Sequence, residues 1–118
     1  MEYMLLVHTD PKTFAGFTPE QQAEGLAAYG AYADAMQKAG VMRGGNRLRP
    51  ADMSTTVRIR DGKAQVLNGP YADTREQLGG YFIIDVPNLD TALSWASRCP
   101  GASHGTMEVR PIWGMGEA

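Results

Sequence analysis

The sequence has a single cysteine, Cys99, so no disulfide forms within the chain and no metal site is built from several thiolates. A lone thiol is typical of the reducing cytoplasm, where we expect this protein to be found. No apolar run approaches the roughly 20 residues that cross a bilayer. Residues 1–10 also lack the basic, longer apolar profile of a signal peptide. These absences predict a soluble cytoplasmic protein with no membrane partner.

Neither sign of charge dominates the chain. Eleven basic residues stand against 13 acidic ones, giving a formal net charge of -2, so the basic surface that a phosphate backbone requires is missing. We expect no nucleic-acid partner. The two histidines, His8 and His104, have no metal-ligand spacing, and the glycine pairs form no dinucleotide or phosphate-binding fingerprint. The sequence therefore predicts neither a metal nor a cofactor.

The apolar patterns along the 118 residues predict one split β-α-β domain. Thr18-Pro19 and Asn88 supply the starts of two helices, and Asp61-Gly62 predicts a type I′ hairpin turn. The predicted strands are 2–8, 41–49, 54–60, 63–67, 80–86 and 106–113, and the predicted helices are 19–39 and 89–99. The predicted apolar stripes are Ala23, Leu26, Ala27, Gly30, Ala33 and Met36 in the first helix, and Leu89, Ala92, Leu93 and Ala96 in the second. This order folds most simply as an antiparallel sheet with both helices on one face.

Two predicted strands are apolar on both faces. Leu5 and Leu6 point to opposite faces of the first strand, and Ile83 and Ile84 do the same in the strand at 80–86. Two helices on one face leave the other face uncovered, and an exposed apolar patch usually marks an association site. We infer that a second copy of the chain covers this face, giving a symmetric homodimer.

The segment 68–80, NGPYADTREQLGG, closely resembles the signature of the DGPF family, also called the YCII-related family, whose namesake tetrapeptide stands here as NGPY. The resemblance extends from MEYMLLVH at the start to TMEVRPI near the end. It implies a ferredoxin-like α+β fold of the dimeric α/β barrel type, in which two sheets pack together. It also implies an association with extracytoplasmic-function sigma factors, while most members of the family have no established activity.

The YciI branch of this family has a histidine on its first helix that faces an aspartate near the end of its second, in a proposed acid-base pair. This sequence departs from that pattern. Its first helix holds Tyr29 and Tyr32 but no histidine, and its second helix ends in Ser97-Arg98-Cys99. The pair is therefore not carried over to this chain.

Candidate site residues come from the first strand, the first helix and the 68–80 segment. Histidine moves protons near neutral pH, so His8 with Asp73 is the candidate acid-base pair. Tyr71, Arg75 and Tyr32 are the candidate ligand-binding residues, because they offer aromatic rings and a guanidinium to a small molecule.

Each of these candidates also has a structural explanation. The 68–80 segment fits a Gly69-Pro70 turn followed by one helical turn, with Asp73 and Glu76 at capping-box spacing. His8 fits a hydrogen-bonded histidine in a dimer interface. Two functions therefore stay open, a cofactor-free acid-base enzyme for a small organic molecule and a noncatalytic ligand-binding or accessory protein beside a sigma factor.

Overall fold

The computed structural model describes residues 1–117 and contains the predicted sheet and helices. The strands are β1 (Glu2–Thr9), β2 (Met42–Arg47), β3 (Thr55–Arg60), β4 (Lys63–Asn68), β5 (Gln77–Asp85) and β6 (Thr106–Pro111). The helices are α1 (Pro11–Ala15), α2 (Pro19–Lys38) and α3 (Leu89–Arg98), with short 3-10 turns at Ala51–Met53 and Pro100–Ser103. Helix α1 lies between the first predicted strand and the first predicted helix, where no helix was predicted.

The main sheet has the strand order β2-β5-β1-β6, and every neighbouring pair in it is antiparallel. The two central strands are β1 and β5, and helices α2 and α3 each connect two strands that are not neighbours in the sheet. This is the ferredoxin-like arrangement, and it confirms the predicted α+β fold class. The hairpin β3-β4 forms a separate two-stranded sheet.

Side-chain caps fix the starts of both long helices. The Thr18 hydroxyl accepts a hydrogen bond from the Gln21 backbone at 3.1 Å, and the Gln21 amide oxygen accepts one from the Thr18 backbone at 2.9 Å. This is the predicted capping box. At α3 the Asn88 side chain accepts from the Thr91 backbone at 2.9 Å. None of the helices among residues 1–117 has the length and apolar character to span a membrane.

Helix α2 packs with a face that differs from the predicted stripe. Its buried side chains are Tyr32 and Met36, with Tyr29 half-buried, whereas Leu26 is exposed. The Tyr32 ring packs edge-on against Phe82, with 5.4 Å between ring centroids. The predicted stripe was wrong except around Met36, because tyrosine rings bury far more apolar surface than a row of alanines.

Helix α3 follows its predicted stripe only in part. Ala92 and Ala96 are buried against the sheet as predicted, but Leu89 and Leu93 are exposed. Two small residues let the helix axis approach the sheet closely, which leaves the leucines at the margin. Cys99 is buried and free, and burial raises the pKa of its thiol. A close approach also occurs at Gly101, where an added Cβ would lie 2.6 Å from the Tyr29 hydroxyl.

The hairpin β3-β4 has the predicted turn. Asp61 and Gly62 have φ values of 51° and 74°, as a type I′ turn requires. Val57 pairs with Val66 and Ile59 with Ala64, so these four side chains share one face of the hairpin.

The segment before β5 differs from its prediction. Strand β5 begins at Gln77, earlier than the predicted residue 80, and no helical turn forms at Asp73 and Glu76. The Thr74 hydroxyl donates instead to the Glu76 carbonyl at 2.6 Å, and the Gln77 side chain donates to the Ala72 carbonyl at 3.1 Å. These side-chain bonds compete with helix formation, which is why the predicted helical turn was wrong.

Candidate functional site

The main sheet has one face packed against helices and one open face. The buried side chains of β1 are Tyr3, Leu5 and Val7, which all belong to the packed face. Leu6 and Ile83 lie on the open face and are half-buried. The strands are therefore apolar on both faces, as predicted, and the helices cover only one of them.

A β-bulge lies at the end of the open face, beside His8. Val7 pairs with Gly80 whereas His8 pairs with Leu78, so Gly79 is the extra residue of the bulge. A bulge increases the local twist and changes the direction of the side chains that follow it. Because His8 and Leu78 are paired, their side chains lie together on the open face at this end of the sheet.

This end of the sheet forms one side of an open recess, and the loop after the hairpin forms the other. The recess has a volume of about 900 Å³. Its lining residues are His8, Ser54, Pro70, Tyr71, Ala72, Thr74, Glu76, Gln77, Leu78, Thr106, Met107 and Glu108. A smaller recess of about 320 Å³ adjoins it and shares Ser54, Pro70, Gln77 and Leu78. The larger recess is the better candidate, because it contains a histidine and two carboxylates.

A chain of contacts among three residues, which we call the polar centre, lies at the recess; His8 and Glu108 line the recess and Arg110 does not. His8 Nε2 lies 3.1 Å from Glu108 Oε1, and Arg110 Nη2 donates to Glu108 Oε2 at 2.6 Å. The bond from Arg110, and next the one from His8, hold the pKa of Glu108 below its usual value. Glu108 is thus a carboxylate at neutral pH, with one oxygen on each neighbour.

This geometry assigns the proton positions on His8. A carboxylate accepts hydrogen bonds and donates none, so Nε2 of the neutral imidazole carries the hydrogen and Nδ1 carries the lone pair. His8 is partly accessible, with 28% of its side chain exposed. A carboxylate-oriented imidazole of this kind can act as a general base toward a bound molecule.

Two contacts attach the loop to the sheet. The Thr106 hydroxyl donates to Glu76 Oε1 at 2.6 Å, and Arg75 Nε donates to Asp10 Oδ2 at 3.0 Å. The backbone bond from Lys12, and next the bond from Arg75, lower the pKa of Asp10. The loop side of the recess therefore stays close to the ends of β1 and β6.

The structure brings only some of the predicted site residues to the recess. His8 and Tyr71 line it, and the Arg58 guanidinium lies 5.3 Å from the centroid of the exposed Tyr71 ring. Asp73 is exposed and does not line it, and Arg75 is engaged with Asp10 at the surface.

Tyr32 lies in the core, away from the recess. Its hydroxyl donates to the Trp95 carbonyl at 2.8 Å, and its ring also packs edge-on against the Trp95 ring. Burial raises the pKa of this hydroxyl. Tyr32 is therefore a packing residue between α2, α3 and the sheet.

Glu108 is the functional candidate that sequence reasoning missed. Nothing in the sequence linked Glu108 to His8, and the Arg110 that also contacts Glu108 lies two residues further along the same strand. The link depends on the β1-β6 pairing, in which His8 faces Thr106 and Leu6 faces Glu108. Within residues 1–117, no group of three or more His, Cys, Asp and Glu side chains is arranged to hold a metal ion.

Comparisons with known proteins cover nearly the whole chain. The family profile described as YCII-related domain matches residues 1–116. A protein of Rhizobium meliloti (strain 1021), itself described as uncharacterized, is 32% identical over 114 residues, which is 95% of this chain and 92% of that protein. The family match includes all six strands, the loop before β5 and the three residues of the polar centre.

Proposed function

This chain belongs to the YCII-related family, and we propose that it is a homodimer that binds a small organic molecule in the recess and transfers a proton through His8. The observation that carries the proposal is the contact of 3.1 Å between His8 Nε2 and Glu108 Oε1 in the recess. An ionised acid beside an imidazole is the arrangement that general bases use in enzymes.

In the proposed reaction, Nδ1 of His8 takes a proton from the bound molecule and later returns it to another atom of that molecule. Glu108 holds the imidazole in the required tautomer and stabilises the positive charge that forms on it. No redox step is involved, so the chemistry requires no cofactor. We propose Glu108, and not Asp73 as the sequence predicted, as the partner of His8, because Glu108 is within hydrogen-bond distance of the imidazole.

The recess also contains groups that would hold an organic ligand. Leu78, Pro70 and the Tyr71 ring supply apolar and aromatic surface, and Thr106 with Glu76 supplies polar atoms. Mostly apolar walls with a few polar groups are typical of small-molecule sites. The carbon skeleton of the ligand would lie on the apolar wall, and the reacting C–H or O–H group would point to His8.

The proposed dimer forms through the open face of the sheet. This face carries apolar side chains such as Leu6 and Ile83 that no helix of the same chain covers. A second copy would cover them and would also narrow the recess, which lies on the same face. We place this dimer in the cytoplasm, since its one thiol is unpaired and suits a reducing compartment.

One observation favours a second candidate function, a noncatalytic ligand-binding or accessory protein that works with an extracytoplasmic-function sigma factor. Arg110 already neutralises part of the charge of Glu108 through a hydrogen bond of 2.6 Å. A carboxylate that is shared in this way stabilises a neighbouring imidazolium less strongly. The recess would then bind a ligand without moving a proton.

Solvent deuterium exchange tests the proposal directly, because it detects proton abstraction whatever product is formed. The protein is incubated in deuterated water with a panel of small ketones and β-keto acids, and loss of C–H signals is followed by proton NMR. Exchange is expected with the wild type, and its rate should fall by about a hundredfold or more in His8→Gln.

The matched control is His104→Gln. His104 is the other histidine of the chain, is exposed, and packs edge-on against Phe17 outside the recess. Full exchange by His8→Gln would contradict the proposed base. Thermal stabilisation by a panel member with no exchange would instead support the binding function.

A further inference from the structure

The smaller recess, of about 320 Å³, combines apolar walls with a cation. Of the described residues that line it, Arg49 alone is charged, and the polar residues beside it are Ser54 and Gln77. The apolar lining residues are Leu48, Pro50, Ala51, Met53, Pro70 and Leu78. Apolar neighbours exclude part of the solvent around a charge and so strengthen its attraction to an anion.

Arg49 also differs from the other arginines of the chain. Each of the others contacts a carboxylate, a backbone carbonyl or an aromatic ring, as Arg75 does with Asp10 and Arg110 with Glu108. Within residues 1–117, the Arg49 guanidinium has no hydrogen bond, ion pair or aromatic ring as a partner. Its N–H donors are therefore available to a ligand.

The two adjoining recesses form one continuous surface across the end of the sheet, and Leu78 lines both. Leu78 pairs with His8 on one side of β5. On the other side, the Leu48 backbone N–H donates to the Gly79 carbonyl at 2.9 Å. The backbone next to Arg49 is thus two strand spacings, about 10 Å, from the β1 backbone. A small molecule that lies over Leu78 can contact both His8 and Arg49.

We propose that Arg49 binds the carboxylate of a short oxo acid, whose carbonyl end lies against His8. The inference rests on the proposed proton transfer and names the class of its substrate. The planar guanidinium offers pairs of parallel N–H groups that match the two oxygens of a carboxylate. At the other end, Nδ1 of His8 takes a proton from the carbon next to the carbonyl, which leaves an enolate, and later returns a proton to it.

The charges in the larger recess favour this orientation of the acid. Glu76 and Glu108 both line the larger recess, so a carboxylate placed there would be repelled. No acid among the described residues lines the smaller recess, where Arg49 lies. The anionic end of the substrate is therefore favoured at Arg49, and the uncharged carbonyl end at His8.

An acid and its amide provide a matched pair of probes. Levulinate and levulinamide have the same carbon skeleton and the same ketone, and only levulinate carries a negative charge. Dissociation constants would be measured by NMR titration, which requires no turnover, and deuterium exchange of the C–H groups would be followed in the same samples.

The variants are Arg49→Gln, Arg49→Lys and, as the control, Arg60→Gln. Arg60→Gln removes the same charge from an exposed arginine that lines neither recess. Thermal melting would verify that each variant is folded.

We expect the wild type to bind levulinate about tenfold or more tightly than levulinamide, as hydrogen bonds to a charged group predict. Arg49→Gln should remove this preference, and Arg60→Gln should leave it unchanged. Arg49→Lys should keep part of it, because the charge remains but the paired N–H groups do not. For levulinate exchange, Arg49→Gln should raise KM with little change in kcat, since Arg49 binds the substrate but moves no proton.

Equal affinity of the wild type for the acid and the amide would overturn the inference, as would binding of neither probe. A preference for the acid that survives in Arg49→Gln, or that is lost equally in Arg60→Gln, would also overturn it. An acid preference that depends on Arg49, without deuterium exchange, would exclude the proposed proton transfer and leave Arg49 as the anion-binding residue. Exchange that is equal for both probes and independent of Arg49 would support His8 as the base and overturn the role of Arg49.

Discussion

Truncating two adjacent leucines of β1, one at a time, distinguishes the contribution of the packed face of the sheet from that of its open face. Leu5 is completely buried against the helices, whereas Leu6 is half-buried on the open face. Leu5→Ala removes core contacts within one subunit and is expected to cost about 3 to 5 kcal/mol of the free energy of unfolding. That loss belongs to the subunit and does not depend on association.

Leu6→Ala acts differently if a second copy covers the open face. In an isolated subunit, a half-buried leucine contributes about 1 kcal/mol, half of its value when fully buried. In the dimer the same truncation also removes contacts across the interface, once in each subunit. We therefore expect Leu6→Ala to lower the association constant as well as the stability of the subunit.

Urea unfolding at two protein concentrations about a hundredfold apart distinguishes these effects. A folded dimer gains up to about 2.7 kcal/mol of apparent stability over this concentration range. The wild type and Leu5→Ala should both show this gain, with a constant difference between them. Leu6→Ala should show a smaller gain at the concentrations where it dissociates.

The matched truncation uses neighbouring residues of one type on one strand, so strand propensity is the same for both. Identical concentration dependence in Leu6→Ala and in the wild type would show that the open face is not an interface. So would a stability loss for Leu6→Ala as large as that for Leu5→Ala at every concentration.

Further predictions concern the recess, a glycine and pH. Glu108→Gln should slow solvent deuterium exchange by about tenfold or more, because the imidazole loses its orienting charge; an unchanged rate would exclude this role. Gly101→Ala should lower the free energy of unfolding by about 1 to 3 kcal/mol. By contrast, Gly30→Ala, where the added Cβ meets no atom within 4 Å, should be neutral or stabilising by thermal melting. The pKa values of Asp10, Asp85 and Glu108 are lowered by folding from ordinary values of 3.8, 3.8 and 4.5. These three carboxylates therefore stabilise the fold above those pH values, and the stabilisation is lost as pH falls below them. The melting temperature should decline as the pH is lowered through this range, and a melting temperature that does not change with pH would contradict the prediction.

Local sequence signals predicted the parts of the fold that depend on nearby residues. The capping box at Thr18 and the turn at Asp61-Gly62 involve atoms within a few positions of each other, and both have the predicted geometry. Helix faces were less predictable, because they depend on what packs opposite. Leu26 and Leu93 fit apolar periodicity but are exposed, since tyrosines and small alanines make the contacts with the sheet.

The candidate site was likewise predictable only where it depends on nearby residues. His8 could be identified from its chemistry and its place at the end of a strand, but its neighbour Glu108 lies 100 positions away in sequence. Only the register between β1 and β6 brings them together. The loop at 70–76 was predicted to contain a helical turn, and the competition from Thr74 and Gln77 side chains could not be weighed from spacing alone.

We propose that a second copy of the chain covers the open sheet face on which the His8–Glu108 recess lies. Sedimentation equilibrium of the wild-type protein at micromolar concentration tests it most directly. We expect a single species with twice the mass of one chain, which dissociates on dilution or in Ile83→Glu. A stable, folded species with the mass of one chain at every concentration would contradict it.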